Sequence, residues 1–179
     1  MFRKHVIPGR AFPVNIDPDA IKRKLPEWQL YVKNNHVTAG SLTHLESALM
    51  VGIAQEAGLR AGVNLWVDGS LANTAWTLKD ISRIRNLHPE YHIGVFHVSA
   101  SERLITQRCE KRAQSTGRVV PVEKIRESIT GSAETIKQLI PPLIDFAAII
   151  RNNGADPELM SVNGQGVNND WTCIRRYFE

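Results

Sequence analysis

The sequence has few cysteines and no long hydrophobic run, and these absences narrow the class of protein. Two cysteines among 179 residues, Cys109 and Cys173, are too few for a disulfide framework, so we expect a reducing, cytoplasmic compartment. No apolar run approaches the roughly 18 to 20 residues of a membrane-spanning helix, and the first residues lack the apolar core of a secretory signal. Because 42% of the residues are apolar, the chain can bury a core, and we expect one domain over residues 1–179.

Metal-binding and base-stacking patterns are missing as well. The six histidines show no H-E-x-x-H spacing and the cysteines no C-x-x-C pair, so a structural zinc site is not expected. The four tryptophans are scattered along the chain rather than grouped as a stacking series, which disfavours a nucleic-acid ligand.

The positive charge is concentrated in one segment. The chain has 22 basic and 18 acidic residues, and residues 101–126 alone hold seven basic against three acidic side chains, which accounts for the whole net charge of +4. Such a cluster indicates a compact anionic ligand such as a phosphate group. A solvated helix face is the alternative.

Hydrophobic periodicity predicts strands that alternate with helices. The helix over residues 42–60, for example, is predicted from Leu45, Leu49, Ile53 and Ala57, which share one face. The alternation predicts an α/β protein with a mostly parallel sheet covered on both faces, followed by a hairpin and tail over residues 155–179. The predicted strands are residues 12–16, 63–67, 92–98, 146–150 and 159–162. A short helix is predicted to start at Ala20, and four longer helices are predicted over residues 42–60, 77–87, 99–113 and 122–139.

Acidic residues follow the first two predicted strands. Asp17 and Asp19 come after the first strand, with Asp19 placed to cap the next helix, and Asp68 follows the second. The basic segment follows the third strand. Since ligands of open parallel sheets bind beyond the carboxyl ends of the strands, these groups are expected to converge on one crevice. Carboxylates and arginines together are what phosphoryl transfer requires.

The order and spacing of several short motifs resemble the zeta-toxin family of P-loop kinases, whose bacterial members phosphorylate nucleotide-activated amino sugars with ATP. The resemblance covers residues 12 to about 154 and implies a kinase, that is, a nucleotide-binding transferase with a P-loop NTPase fold. The matching motifs are NIDPDAIKRKLPE at 15–27, HVT at 36–38, THLESA at 43–48, NLWVDGSL at 64–71, ERLITQRCEKR at 102–112, GRVVP at 117–121 and FAAIIRNN at 146–153.

The resemblance assigns roles to five residues of the acceptor side. Asp19 resembles the general base that takes the acceptor hydroxyl's proton, and Asp17 and Glu46 match acceptor-binding positions. Asp68 and Ser70 match an acidic and hydroxyl pair that faces substrate and metal, with Asp68 as the metal ligand. The family often has Glu-Gly-Thr where this chain has Asp-Gly-Ser, which leaves the acceptor's identity open. The alternatives are a helix cap for Asp19, an exposed helix position for Glu46 and a plain turn at 68–70.

The resemblance also assigns the phosphate and nucleotide contacts. Arg108 and Arg118 match the two phosphate-facing, catalytic arginines, since planar guanidinium groups donate to phosphate oxygens in a fork. Arg108, Arg112 and Asn152 are assigned to nucleotide binding, Arg112 as a candidate third donor one helical turn beyond Arg108. Surface solvation is the alternative for Arg112. ATP and Mg²⁺ are the implied cofactors.

The phosphate-binding loop of such kinases is absent from the sequence. The loop has the pattern G-x-x-x-x-G-K-[ST], and none of the twelve glycines here is followed by lysine. The chain is therefore expected to begin after the family's first strand and phosphate loop. In the family that strand lies between the strands at residues 63–67 and 92–98, and we expect another chain, the N-terminal segment or a longer native protein to fill the gap.

Two functions remain open after the sequence is read. The first is ATP-dependent phosphoryl transfer to a small, nucleotide-sugar-like acceptor bearing phosphate, impaired here without the phosphate loop. The second is a non-catalytic pseudokinase that binds a phosphorylated ligand or a protein partner. A nucleic-acid kinase is disfavoured, and no membrane association is expected.

Overall fold

Strands and helices alternate along the chain, as the periodicity predicts, and the fold is of the α/β class. The computed structural model describes residues 13–35, 38–116, 119–139 and 143–177. The strands are β1 (Val14–Ile16), β2 (Leu65–Val67), β3 (Gly94–Ser99), β4 (Phe146–Arg151), β5 (Glu158–Val162) and β6 (Gln165–Gly166). The helices are α1 (Pro18–Lys24), α2 (Trp28–Asn35), α3 (Ala39–Leu42), α4 (His44–Arg60), α5 (Thr74–Leu87), α6 (Glu102–Thr116) and α7 (Val122–Leu139), and a 3₁₀ helix covers Trp171–Tyr177.

The first helix starts earlier than predicted. It begins at Pro18 rather than Ala20, and its N-cap is Asp17, whose Oδ1 accepts a hydrogen bond of 2.8 Å from the Asp19 amide. The residue before a proline is held in extended geometry, which is the geometry of an N-cap, and proline fits the first helical position. The prediction that Asp19 caps this helix is therefore wrong.

The chain divides into two compact units, and the first comprises residues 1–69 and 109–120. Its sheet contains β1 and β2, which pair in parallel with Val14 opposite Leu65 and Ile16 opposite Val67. Helix α4 packs against both strands and against α1 and α3. Among the described residues of this unit, the buried apolar side chains are Ile16, Trp28, Ala39, Val51 and Leu59.

Helix α4 buries a different face from the one that its apolar pattern favours. Ser47, Val51, Gln55 and Leu59 are buried, whereas Leu45, Leu49 and Ile53 are 80%, 67% and 61% exposed and Ala57 is exposed as well. The buried face tolerates Ser47 because its hydroxyl is satisfied within the helix, where Ser47 Oγ donates to the His44 carbonyl at 2.9 Å.

The second unit comprises residues 70–108 and 121–179 and contains a four-stranded sheet in the order β3-β4-β5-β6. Strands β3 and β4 are parallel, and β5 and β6 form the predicted C-terminal hairpin with antiparallel pairing. One face of the sheet buries Phe146, Ala148 and Ile150 under side chains of the C-terminal segment, among them Trp171. The other face packs against helix residues that include Leu139.

Two strands have a ladder partner on one side alone. Within the described parts of the chain, β2 pairs with β1 and β3 pairs with β4, and neither has a second neighbour. The expectation that a further strand belongs between β2 and β3, and what would fill that place, stays a prediction.

Candidate functional site

The carboxyl ends of β1 and β2 bring two of the predicted acidic residues to one edge. Ile16 and Val67 are paired in the ladder, so Asp17 and Asp68 are the next residues beyond that pair. The Asp68 amide donates to the Ile16 carbonyl at 3.0 Å, which fixes the backbone where the second acidic residue leaves the strand. The two positions therefore lie at the same edge of this sheet, and the expected convergence of the carboxylates with the basic segment stays a prediction.

Asp19 lies in the first turn of α1 and pairs with a buried lysine. The distance from Lys22 Nζ to Asp19 Oδ1 is 3.9 Å, and Lys22 Nζ also donates to the Gly40 carbonyl at 3.4 Å. Lys22 is 5% exposed, so the ammonium group is held among protein atoms. Sequence reasoning missed Lys22, although its spacing of three residues from Asp19 on a predicted helix placed both on one face.

Glu46 and Asp68 are exposed to solvent. Glu46 is in the first turn of α4, the helix that packs against α1. Asp68 Oδ1 accepts a hydrogen bond of 2.9 Å from the indole Nε1 of Trp66, which orients the carboxylate at the end of β2. The exposure of both carboxylates leaves them accessible to a ligand.

In the second unit, the predicted nucleotide-binding pair Arg108 and Asn152 is in contact. Arg108 Nη2 lies 3.4 Å from Asn152 Oδ1, a long hydrogen bond. The Asn152 amide donates to the Ser99 carbonyl at 2.8 Å, so this pair lies beyond the carboxyl ends of β3 and β4. Asn153 was missed by sequence reasoning: its Oδ1 accepts a 2.8 Å hydrogen bond from the Ser101 amide just before α6.

The loop that carries Ser70 is anchored to α7. Ser70 Oγ accepts from the Ala72 amide at 3.3 Å, and Leu71 has a left-handed backbone with φ of 55°. Thr135, fully buried on α7, donates from Oγ1 to the Leu71 carbonyl at 2.7 Å, and its Oγ1 lies 2.8 Å from that of Thr74. The sequence does not reveal this role of Thr135, because its hydrogen-bond partners are more than 60 residues away in the chain.

A shallow, open pocket of about 480 Å³ lies beside this loop in the second unit. It is formed by the start of α5 and the first turns of α7. The lining residues are Ala72, Asn73, Thr74, Lys124, Glu127 and Ser128.

The structure says little about the other two predicted phosphate contacts, Arg112 and Arg118. Arg112 is exposed, with Nη2 3.8 Å from Cys109 Sγ. Arg118 lies outside the described residues. The two phosphate-facing positions of the resemblance therefore reduce to Arg108 within the described structure.

The residues present fit part of the implied cofactor chemistry. Among the described residues, no group of three or more histidine, cysteine or acidic side chains could hold a metal ion. Mg²⁺ usually takes one or two carboxylates together with substrate phosphates, and the exposed Asp68 is a donor of that kind. No segment of the sequence fits the phosphate-binding loop, because the sequence contains no Gly-Lys pair. Over the described parts of the chain, no helix combines the length and apolar character needed to cross a bilayer.

A parallel pairing of strands flanked by helices defines an α/β protein, and acidic residues follow the paired strands β1 and β2 at the edge where open parallel sheets usually bind ligands. The model of the Zeta toxin family matches residues 2–156, so the chain belongs to the Zeta toxin family. Membership indicates the α/β fold of the P-loop kinase type.

One solved structure is similar over most of this chain. It comes from the molecular and structural characterization of the PezAT chromosomal toxin-antitoxin system of Streptococcus pneumoniae. The TM-score is 0.65 at 13% sequence identity, and the match covers 88% of this chain and 63% of that chain. At this identity the similarity supports the fold. No curated protein sequence matches the chain.

Proposed function

We propose that this chain carries the acceptor side of an ATP- and Mg²⁺-dependent phosphoryl transfer to a hydroxyl of a small, nucleotide-sugar-like molecule that bears phosphate. The observation that carries the proposal is the register of β1 and β2, which leaves Asp17 and Asp68 at one edge with Asp19 in the adjoining first turn of α1. Family membership supports the reaction class.

In this proposal the acidic residues divide the work on the acceptor. Because Asp17 caps α1, the carboxylate of Asp19 is not needed as a cap, and it acts as the general base toward the acceptor hydroxyl. Asp17 and Glu46 bind the acceptor, Asp68 holds the metal, and Ser70 contributes a hydroxyl.

The basic residues face the phosphate groups. Arg108 and Arg118 stabilise the charge of the transferred group, and Arg108, Arg112 and Asn152 bind the nucleotide. The contact of Arg108 with Asn152 supports this grouping. ATP supplies the phosphoryl group, and Mg²⁺ offsets its charge.

The missing Gly-Lys pair favours a second candidate function. In it, residues 1–179 form one zeta-toxin-like domain of a cytoplasmic pseudokinase that binds a phosphorylated ligand or a protein partner without transferring phosphate. The two functions share the acceptor pocket and differ in ATP binding.

Calorimetric titration with UDP-N-acetylglucosamine, a representative nucleotide-activated amino sugar, tests the acceptor pocket. We expect saturable binding that Asp68→Asn and Glu46→Gln each weaken by about tenfold or more, because each removes a charged hydrogen-bond partner. Asp156→Asn, an exposed loop residue outside the predicted site, is the matched control and should bind normally. No binding of this probe or of related nucleotide sugars would refute the acceptor pocket.

Titration with ATP·Mg²⁺ separates the two candidate functions. The kinase is supported if ATP binds and phosphate is transferred to the acceptor. In that case Asp19→Asn should lower the transfer rate by about 10²- to 10⁴-fold without changing the far-UV circular dichroism spectrum. Acceptor binding without ATP binding supports the pseudokinase. Full transfer activity in the asparagine variant would show that Asp19 is not the base.

A further inference from the structure

The exposed face of α4 is apolar along most of its length. Leu49 and Ile53 are 67% and 61% exposed, and Ala57 continues the stripe toward the end of the helix. The helix buries its opposite face, so this stripe meets solvent in the described structure. Contiguous exposed apolar side chains of this kind mark interaction surfaces.

Two opposite charges flank the stripe at equal distances from its centre. Glu46 precedes Ile53 by seven residues and Arg60 follows it by seven, so each of the two charges lies within about 20° of Ile53 around the helix. Glu46 is exposed, and the Arg60 side chain is 76% exposed while its Nε donates to Glu56 at 2.7 Å.

This arrangement is complementary to itself when a second copy runs in the opposite direction. With Ile53 against Ile53, the large Leu49 lies opposite the small Ala57, and Glu46 lies opposite Arg60 of the other helix. Antiparallel packing also brings the positive end of each helix dipole beside the negative end of the other. We propose that the chain self-associates through α4 as an antiparallel pair, with the twofold axis at Ile53.

The size of the surface sets the expected affinity. From Glu46 to Arg60 the stripe is about 21 Å long at 1.5 Å per residue, so one pair of helices covers less than the roughly 800 Å² per partner of a standard interface. We therefore expect a dissociation constant in the micromolar range or weaker, with rapid exchange between monomer and dimer.

Sedimentation velocity on the full chain at about 5 to 500 μM tests the surface. We expect the weight-average sedimentation coefficient to rise with concentration, and Ile53→Asp to abolish that rise. The matched control is Leu30→Asp on α2, because Leu30 is also 61% exposed and lies outside the stripe. A monomer at every concentration, or a dimer that Ile53→Asp leaves intact, would overturn the proposal.

Charge reversal tests the direction of the pair. Glu46→Arg and Arg60→Glu should each weaken association by about two- to fivefold, the range of exposed ion pairs, and the double variant should recover most of the loss. Additive losses in the double variant would contradict the pairing of these two side chains.

Cysteine cross-linking gives an independent measure of direction. With Cys109 and Cys173 replaced by serine, Ile53→Cys should form an intermolecular disulfide under diamide, because the two sulfurs meet at the axis. Leu45→Cys should not, since its copies would lie about 24 Å apart along the helices, against a limit of about 7 Å between the Cα atoms of a disulfide. Equal cross-linking of the two variants would refute the antiparallel arrangement.

The proposed dimer has one consequence that rests on the proposed function. It covers Glu46, so acceptor binding and self-association would compete. UDP-N-acetylglucosamine should then lower the dimer fraction, while the ligand-free measurements above report on the dimer even if the acceptor assignment fails.

Discussion

The sequence alone offers Asp19 both as the cap of α1 and as the proposed base, whereas in the structure Asp17 is the cap. Either residue is a good N-cap by type, and both precede the periodic part of the helix. Pro18 decides between them, because it holds Asp17 in the extended geometry that a cap needs and occupies the first helical position itself.

The division of tasks gives a matched pair of variants. Asp17→Ala should lower the free energy of unfolding by about 1 kcal/mol through loss of the cap, measured by urea denaturation. Asp19→Asn leaves the cap intact and removes the charge 3.9 Å from the buried Lys22 ammonium, so any loss that it causes reports this ion pair rather than the cap. An Asp17→Ala variant as stable as the unmodified chain would show that the Asp17 side chain does not stabilise α1.

Asp145 stabilises the start of β3 through charge and hydrogen bonds. Burial raises the pKa of Asp145, but hydrogen bonds from the Ile93 amide and from Arg85 outweigh it and hold the pKa below its ordinary value. Both of these hydrogen bonds are 2.6 Å long. A carboxyl group with a lowered pKa in the folded state stabilises the fold above its unfolded-state pKa, and this contribution is lost as the pH falls through the folded-state pKa.

Asp145→Asn should therefore destabilise the chain by about 1 to 2 kcal/mol at pH 7, a figure reduced for partial exposure. The difference in free energy of unfolding between this variant and the unmodified chain should shrink below about pH 4, as the carboxyl group becomes protonated. Urea denaturation at several pH values measures this, with Asp156→Asn as the control. A difference that did not depend on pH would show that the charge is not involved.

Among the structural elements, α7 has a second role besides covering the sheet. Thr135 binds the Leu71 carbonyl, and a Cβ on Gly131 would collide with the Ala72 carbonyl oxygen. The helix therefore holds the loop that follows Ser70 in its left-handed geometry, which a leucine adopts only when its surroundings enforce it.

Thr135→Val keeps the shape of the side chain and removes the hydroxyl. We expect a loss of about 1 to 3 kcal/mol in the free energy of unfolding, because the half-buried Leu71 and Thr74 oxygens lose a partner. Thr106→Val is the control, since the exposed Thr106 hydroxyl bonds only within its own helix, to the Glu102 carbonyl at 3.0 Å. Equal losses in the two variants would refute the anchoring role.

Replacing an isoleucine by alanine on α4 and on β4 compares the exposed face of α4 with the core of the sheet. Ile150 on β4 is 0% exposed and Ile53 on α4 is 61% exposed. At low micromolar concentration, Ile150→Ala should cost about 2 to 5 kcal/mol and Ile53→Ala less than about 0.5 kcal/mol. Thermal unfolding checks both, and a large loss at Ile53 would mean that its face is covered within a single chain.

For the molecule as a whole, self-association through α4 would link stability to concentration. The Tm should rise with protein concentration, because a dimer of folded chains withdraws molecules from the unfolding equilibrium. The Ile53→Asp variant should have a Tm that is independent of concentration. Scanning calorimetry over a tenfold range of concentration measures this.

The elements and the family follow from the linear sequence, because hydrophobic periodicity and turn residues are local properties. The helix at Val122–Leu139 matches its predicted bounds, and β4 extends the predicted strand at 146–150 by one residue. The short α2, from Trp28 to Asn35, was not predicted, since its apolar residues show little periodic pattern. The motif order predicted the Zeta toxin family, which the family match confirms.

The buried face of α4, the cap of α1 and the anchoring of Leu71 by Thr135 could not be predicted in this way. In each case the local sequence allows two arrangements of similar free energy. Contacts with other segments of the chain then favour one of them. Helix α4 carries apolar side chains on two faces, and its contacts with β1, β2 and α1 select the one with Val51 and Leu59. Local sequence fixed where the helix lies in the chain, and long-range packing decided which of its residues meet water.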